Sequence, residues 1–534
     1  MTKDAATAGL VRRSLIKRGV YRDSVILMRI SMRLREIEGV SQAELLIGTP
    51  NNIEALKRSG LLTQEAIEAD PGPSDLVIAL EGEGPAVATA LREAEEMIAR
   101  GTSVSDAPAE APDGRSAAKT LSAAIPALPG ANLALISIPG PFVRREAMKA
   151  LHQGLNLLIF SNNVSLEDEV AMKEEAARLG LLCMGPDCGT AMLSGAALAF
   201  ANVVRPGPVG IVGAAGTGIQ EIAALVHQAG SGVSHAIGTG TNDVGQVVGG
   251  LAMMAGLDLL EADPATKVMV LVGKPPHPET TVRVVARLAK LSKPSVVCFL
   301  GADPTEIRSS GAVFARTLEE AAAEALALVQ HRPNGNHSPF TVDYADVSRT
   351  AKKESAGLAA SQRFVRGLYG GGTLANEAAL ILHDLVGEVS ANLGLDCVLR
   401  LKNPRRSSGH TIVDLGDEVF TQGRPHPMLE PAMREERLLA EAADETTATV
   451  LMDVVLGYGA HVDPAGVLVK SLRRARSLAE RAGRHLPIVA SVCGTDADPQ
   501  DRGRQVEILR EAGVIVMPTN AQATRMAAMI ACRG

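Results

Sequence analysis

Two glycine-threonine loops are the residues of this chain best suited to chemistry, because the same residues follow both. Gly216-Thr217 leads into Gly218-Ile219-Gln220-Glu221-Ile222-Ala223, and Gly372-Thr373 into Leu374-Ala375-Asn376-Glu377-Ala378-Ala379. The shared pattern, G-T-x-x-Q/N-E-x-A, recurs 156 residues apart. A short apolar run precedes each loop, Val209–Val212 in one copy and Phe364–Leu368 in the other, and an amphipathic run follows. Each copy therefore reads as strand, tight turn, helix. That geometry aims free backbone N–H groups and the positive end of a helix dipole at one spot, which suits phosphate or another small anion. The candidate anion-binding residues are Gly213, Gly216, Thr217 and Gly218 in the first loop, and Gly370, Gly371, Gly372 and Thr373 in the second. Duplicated scaffolding, whose glycines only turn the chain, is the alternative. The Gln/Asn-Glu pair weighs against it, since a turn alone has no need of that pair.

The elements that must position these loops repeat as well. After the first come a strand ending in Ile237-Gly238-Thr239-Gly240, then Val268–Val272 before Gly273, then Ser295–Leu300 before Gly301. After the second come Thr411–Asp414, Thr449–Val455 before Gly457, and Pro487–Ser491 before Gly494. Continuous β-branched runs mean strands buried on both faces, hence parallel, doubly wound sheets of the Rossmann or flavodoxin-like kind. Ligands of such sheets bind at the carboxyl ends of the strands, where the loops lie.

Upstream, strands at Ser14–Lys17, Ala43–Ile47 and Asp75–Ala79 alternate with helices at Asp23–Glu38, Asn52–Arg58 and Pro85–Arg100. This order predicts a small α+β unit of the ferredoxin-like sort, whose turns Gly19–Ser24 and Gly48–Asn51 either cap helices or face a ligand. A further α/β unit has strands at Ala131–Ser137, Asn156–Phe160 and Leu181–Met184, the third ending in Gly185-Pro186-Asp187-Cys188-Gly189-Thr190. That turn is a candidate ligand contact through Gly185, Pro186, Asp187 and Cys188. Two polar, proline-bearing stretches read as linkers. The expected division is a ferredoxin-like domain over 1–101, a linker over 102–115, a Rossmann domain over 116–205, a flavodoxin-like domain over 206–330, a linker over 331–361 and a second flavodoxin-like domain over 362–534.

Composition excludes several classes of function. With 534 residues, 46% of them hydrophobic and 21% charged, the chain has ample core for several domains. A net charge of −7 and 2% aromatic residues without Trp argue against nucleic-acid binding. Six scattered cysteines form no C-x-x-C, so neither a metal site nor a disulfide framework is expected. Met1-Thr2-Lys3-Asp4 opens no apolar signal core, and no run reaches a membrane span; a soluble cytoplasmic protein is the expectation.

The run from about Ala131 to Gly301 resembles the α subunit of succinyl-CoA synthetase. In that family the third strand of the CoA-binding domain ends in a G-P-N-C-P-G turn, here Gly185–Thr190, and a phosphate-binding loop contains S-G-T-x-x-x-E, here Ala215–Glu221. On this resemblance the 116–205 domain is CoA-binding-like and the 206–330 domain α-subunit-like. From about Phe364 onward the chain resembles the C-terminal domain of the β subunit. Its V-N-G-A-G-L-A loop corresponds to Leu368–Ala375 and its L-D-V-G-G to Val413–Asp417. Those two ligase domains are themselves structural repeats, which accounts for the duplication. The fused order resembles the FdrA family over nearly the whole chain, with Ser161–Glu169, Gly185–Thr190 and Gly423–Met428 closest to that family in particular. The resemblance implies either an acyl-CoA synthetase or a subunit of a carbamoyltransferase of the oxamate type, in allantoin and purine nitrogen breakdown.

Departures from the synthetase separate these two. No ATP-grasp nucleotide domain is encoded. Where the synthetase carries its phosphohistidine, this chain has Ser309-Ser310-Gly311-Ala312, and the G-E-I-G-G segment reads Gly273-Lys274-Pro275-Pro276-His277. The first strand's G-x-x-G turn is not evident before Ala131. What remains suits an acyl phosphate that needs no ATP, carbamoyl phosphate being one. Lys274 or Arg424 would neutralise charge. His426 or His461 would be the base, oriented by Asp463 or Asp414, and Glu221 leans toward catalysis; capping roles stay open for the histidines and for Asp414 and Asp453. A carbamoyltransferase subunit is thus the expected function, with an NDP-forming acyl-CoA ligase subunit as the alternative and a noncatalytic CoA- or metabolite-binding regulatory subunit as a third. No cofactor is required, and CoA is the one left open. Expected partners are carbamoyl phosphate or another acyl phosphate, a carboxamide or carboxylate acceptor, and other subunits of a hetero-oligomer, with no nucleic acid and no membrane.

Overall fold

The computed structural model describes residues 10–20, 22, 24–100, 118, 120–332, 338–421, 425–430 and 432–533. Contacts divide the chain into two compact units, Met1–Gly130 with Glu418–Pro425, and Ala131–Asp417 with His426–Gly534.

In the first unit Leu76–Gly82 pairs antiparallel with Val11–Lys17 on one side and Val40–Ile47 on the other. Its continuous apolar run follows from having both faces covered. Leu76, Ile78 and Leu80 enter one core with Leu27, Ile30 and Leu34 of helix Ser24–Arg35 and Val87 and Ala94 of helix Gly84–Arg100. Val77 and Ala79 point the other way, against Leu56, Leu61 and Leu62. This is the α+β arrangement that the sequence predicts. At the end of Val11–Lys17, Asp75 accepts from Gly19 N–H and Gly72 N–H, both at 2.9 Å, and from Arg18 Nη1 at 2.7 Å. Those bonds, the Gly72 N–H foremost, hold its carboxyl at about 2. The Gly19 turn is closed by the protein's own side chain.

Among the described residues the second unit holds three sheets. Leu133–Ile136, Asn156–Ile159 and Cys183–Met184 form a small parallel one. A seven-stranded sheet runs, edge to edge, Val313–Phe314, Ser295–Phe299, Val268–Gly273, Pro206–Gly213, Val233–Gly238, Thr190–Leu193 and Ala196–Ala199. The other seven-stranded sheet runs Leu399–Arg400, Val389–Ala391, His410–Asp414, Phe364–Tyr369, Thr447–Val455, Ile488–Cys493 and Ile515–Met517. Every pairing in these three sheets is parallel except the hairpin Thr190–Ala199 and its attachment to Val233–Gly238. The fold class is therefore the expected α/β one. The hairpin itself was not foreseen, and it joins the sheet of the first glycine loop although it lies before residue 206.

The expectation of a linker over 331–361 is corrected. Tyr344–Ala356 is a helix, N-capped by Asp343, whose carboxylate accepts from Ala345 N–H. Ala351 and Leu358 sink into the main core and Val347 packs on it, a narrow apolar stripe on an otherwise charged surface. The 102–115 stretch lies outside the described residues.

Candidate anion site at the glycine loops

Each glycine-threonine pair opens a helix, Gly216–Gln228 and Gly372–Val386, and the two helices pack together within the second unit. Their N-termini touch. Thr373 N–H donates to Thr217 Oγ1 at 3.2 Å. A Cβ on Gly218 would lie 2.9 Å from Thr373 Cγ2, and one on Gly371 would lie 3.0 Å from Thr217 Cγ2. Glycine at these positions is what allows so close an approach.

The two loops differ in what their N–H groups meet. Gly370 N–H donates to Asp453 Oδ1 at 2.8 Å and Gly371 N–H to Asp453 Oδ2 at 2.7 Å. Arg434 Nη2 binds the same carboxylate at 2.8 Å, so the expectation of an open cradle at Gly370 and Gly371 is corrected. In the first loop the helix begins after Ala215, which supplies no side-chain cap. Thr190 Oγ1 stands beside it, 3.2 Å from where a Gly216 Cβ would be. The strand register explains the difference: Leu271 lies opposite Val212, as Met452 lies opposite Leu368. The next residues are Val272 in the first repeat and Asp453 in the second.

Glu221 and Glu377, together with their Gln220 and Asn376 neighbours, turn inward. Glu377 Oε1 accepts from Leu318 N–H at 2.7 Å and its Oε2 from Asn520 Nδ2 at 2.7 Å, while Glu221 Oε1 accepts from Asn520 N–H at 3.4 Å. Leu318 and Asn520 begin the helices Leu318–Val329 and Asn520–Ala531. Each repeat thus finishes a helix of the other. Gln220 Nε2 reaches Asn202 Oδ1 at 3.2 Å and Asn376 Nδ2 reaches Gly372 O at 2.7 Å. The Q/N-E pair therefore has a structural use that a lone turn would not require, and Glu221 faces the seam between the repeats.

Burial pushes the Glu377 carboxyl up to about 7, against the hydrogen bonds from Asn520 and Leu318 that lower it. A proton kept by the folded chain above the ordinary glutamate value of 4.5 stabilises it at acid pH, and the gain is lost as pH rises through 7. Glu377→Gln is expected to flatten part of the fall in stability between these values, read as the urea midpoint against pH. Asp414, also raised to about 7 by burial, supplies another part. An unchanged slope in the variant would refute the assignment.

Both histidines predicted as bases make one local arrangement. His426 Nδ1 accepts from Met428 N–H at 3.3 Å and His461 Nδ1 accepts from Asp463 N–H at 3.0 Å. The tautomer assigned from these bonds carries its hydrogen on Nε2, which makes each ring an N–H donor at that edge. Burial holds His426 down to about 4, so it is neutral at neutral pH. Its Nε2 is packed against Gly416, 2.6 Å from where a Cβ would be. Asp463 does not orient His461 through its carboxylate, which caps helix Pro464–Arg481 at Gly466 N–H and accepts from Gln505 Nε2. Asp414 accepts from Gly416 N–H at 2.8 Å and lies against Gly372; the charge of Lys274 lowers its pKa and that of Asp453 raises it. Lys274 is exposed at the end of Val268–Gly273. Arg424 lies outside the described residues. The structure thus brings Gly213–Gly218, Gly370–Thr373, Asp414, His426 and Lys274 to the carboxyl ends of neighbouring strands.

The Gly185–Thr190 turn packs against the Gly238–Thr241 segment and, through Thr190, against the first loop. Cys188 is buried, its thiol pushed up to about 12, with Sγ facing Thr190 O and Gly238 O. Thr241 Oγ1 donates to Asp187 Oδ2 at 2.8 Å, and a Cβ on Gly240 would strike Pro186 O. One group escaped sequence reading altogether. Lys173 Nζ, fully buried, binds Glu169 Oε1 at 2.7 Å, Asp243 Oδ1 at 2.9 Å and Thr239 O at 2.9 Å. Its signal was present in part, since Glu169 closes the Ser161–Glu169 segment and stands one helical turn from Lys173. Asp453 and Arg434 were also missed as a pair, although overlaying the repeats sets Asp453 on Val272.

Comparison with known proteins agrees with this architecture. Residues 368–530 match the family model "CoA-ligase", residues 204–301 "CoA binding domain", and residues 10–113 "AllF, heavy metal-associated domain". The CoA-binding match thus falls on the first glycine-loop repeat. Residues 10–113 contain neither Cys nor His, so they do not fit a thiolate- or imidazole-bound metal. Among the described residues no cluster of His, Cys, Asp and Glu could hold a metal ion, and no helix is long and apolar enough to cross a membrane. The uncharacterized protein YahF of Escherichia coli (strain K12) is 40% identical over 97% of this chain and 98% of its own. The succinate–CoA ligase [ADP-forming] α subunit of Methanothermobacter thermautotrophicus is 28% identical over 32% of this chain and 58% of its own. The malate–CoA ligase α subunit of Methylorubrum extorquens is 25% identical over 43% of this chain and 82% of its own.

Proposed function

The chain belongs to one family with YahF, the succinyl-CoA synthetase-like FdrA family, and from that premise we propose that it is a subunit of an acid–CoA ligase-type enzyme and handles the acyl phosphate half of the reaction. The observation that carries this reading is the uncapped start of helix Gly216–Gln228, where Val272 stands in place of a carboxylate. The phosphate of an acyl phosphate would sit on the N–H groups of Gly216, Thr217 and Gly218, with Thr190 beside it and Lys274 opposing its charge. A nucleophile, the thiol of CoA, attacks the acyl carbon; the C–O bond to phosphate breaks and inorganic phosphate leaves from the loop. Asp414, whose carboxyl is held at about 7, takes the proton that the nucleophile loses, and His426 donates its Nε2 hydrogen bond. The division of the chain at residues 101, 115, 205, 330 and 361 belongs to the same proposal, with the stretch between the last two holding helix Tyr344–Ala356 rather than a linker, as does assembly with other subunits.

A second reading is carbamoyl transfer from carbamoyl phosphate to a carboxamide such as oxamate. Ser309-Ser310-Gly311-Ala312, with no histidine to carry phosphate, favours it. One assay separates the two. With partner subunits present, phosphate release is followed from acetyl phosphate with CoA and from carbamoyl phosphate with oxamate. CoA-dependent release with acyl-CoA formed supports the ligase-type reading. Oxamate-dependent release that ignores CoA supports carbamoyl transfer. Absence of acceptor-dependent release in both pairs would overturn both.

A further inference from the structure

The second glycine loop already holds an anion, and that anion is part of the chain. Asp453 has no exposed surface. Its two carboxylate oxygens take the Gly370 and Gly371 N–H groups at 2.8 and 2.7 Å, and Arg434 Nη2 adds a third donor at 2.8 Å. Arg434 Nη1 also holds the Asp453 carbonyl at 2.5 Å, which fixes the guanidinium in place. Two loop N–H groups and a guanidinium are the donors that a free carboxylate or phosphate would recruit at a helix start. In the first repeat the register-equivalent residue is Val272, which offers no acceptor.

We infer that Asp453 is a tethered anion that closes the second loop to free carboxylates and phosphates, so that of the two loops it is the first that holds an external anion. Asp453 is then a specificity-determining residue. A reactant with one anionic end, such as an acyl phosphate with an uncharged acyl group, finds its site at the first loop. A reactant with a second carboxylate directed at the second loop meets Asp453 instead and is disfavoured. This inference rests on the proposed function only for its statement about the first loop.

The test removes the tether in the full-length chain. Asp453→Ala is titrated with inorganic phosphate and, separately, with acetate, by calorimetry and by unfolding temperature, with sodium chloride at equal ionic strength as control. The variant is expected to gain one phosphate site over the wild type, going from one to two. Its unfolding temperature should rise saturably with acetate and by more than that of the wild type, whose first loop alone takes the anion. Should the variant not fold alone, the same titration is read as recovery of its helical circular dichroism: recovery with acetate supports the inference, and failure to recover overturns it. No gain of a site in a folded variant, or two phosphate sites in the wild type, would also overturn it. A gain from zero to one would uphold the tethered anion and defeat the first-loop part of the proposed function.

Discussion

Lys173→Met should destabilise the second unit by about 3–5 kcal/mol, since it leaves buried carboxylates without their cation. Glu169 and Asp243 have no exposed side-chain surface where they meet Lys173. Asp243 has compensation of its own: its oxygens accept Ala252 N–H at 3.0 Å and Met253 N–H at 2.9 Å at the start of helix Leu251–Ala262. Among the described residues Glu169 has only Asn242 Nδ2 at 3.2 Å besides Lys173. Pairing Lys173→Met with Glu169→Leu should therefore restore most of the loss, because the carboxylate left behind is the capped one. Urea unfolding followed by circular dichroism measures both variants. A loss below about 1 kcal/mol for Lys173→Met, in the range of exposed ion pairs, would remove the triad's claim to hold the Leu166–Leu179 helix to the Thr239–Gly250 loop.

Gly216→Val and Gly372→Val should part company, although sequence reading treats them alike. A Cβ at 216 would stand 3.2 Å from Thr190 Oγ1, a contact that a small shift of the hydroxyl relieves. Gly216→Val is therefore expected to keep its fold and to lose phosphate affinity by at least about tenfold, because its methyls cover the N–H groups of the first loop. At 372 a Cβ would lie 2.7 Å from Asp414 Oδ2, inside a site already filled by Asp453. Gly372→Val should cost about 1–3 kcal/mol or more through overpacking, with any loss of binding secondary to it. Phosphate calorimetry beside thermal unfolding distinguishes the outcomes. Full phosphate affinity in folded Gly216→Val would defeat the first-loop site.

Much of this was legible in the sequence because it depended on local pattern. Continuous apolar runs such as Val268–Gly273 and Thr447–Val455 gave strands, and the glycine-threonine signature located both helix starts. The segments that escaped obey weaker signals. The hairpin Thr190–Ala199 is made of small residues around Ser194-Gly195 and resembles loop. Helix Tyr344–Ala356 shows only a thin apolar stripe among charges. The site was harder to read, since its decisive contacts are long-range. Asp453 lies 83 residues from the Gly370 N–H that it accepts, and Lys173 lies 70 residues from Asp243. The histidines sat in conspicuous polar loops, yet their roles were set by backbone bonds from residues two places on, which no spacing rule reveals.

The exchange of helix caps between the repeats also fixes an order of completion during synthesis. Glu377 finds Leu318 N–H only 59 residues away, whereas Glu221 must wait for Asn520, 299 residues downstream. Until then a carboxylate destined for the interior of the first repeat has no backbone partner there, and water must remain around it. The first repeat can thus form its sheet early but cannot dry its seam. Helix Asn520–Ala531 brings Asn520 to both glutamates at once, so the two repeats are joined by contacts of high sequence separation, the kind whose loop-closure entropy slows folding.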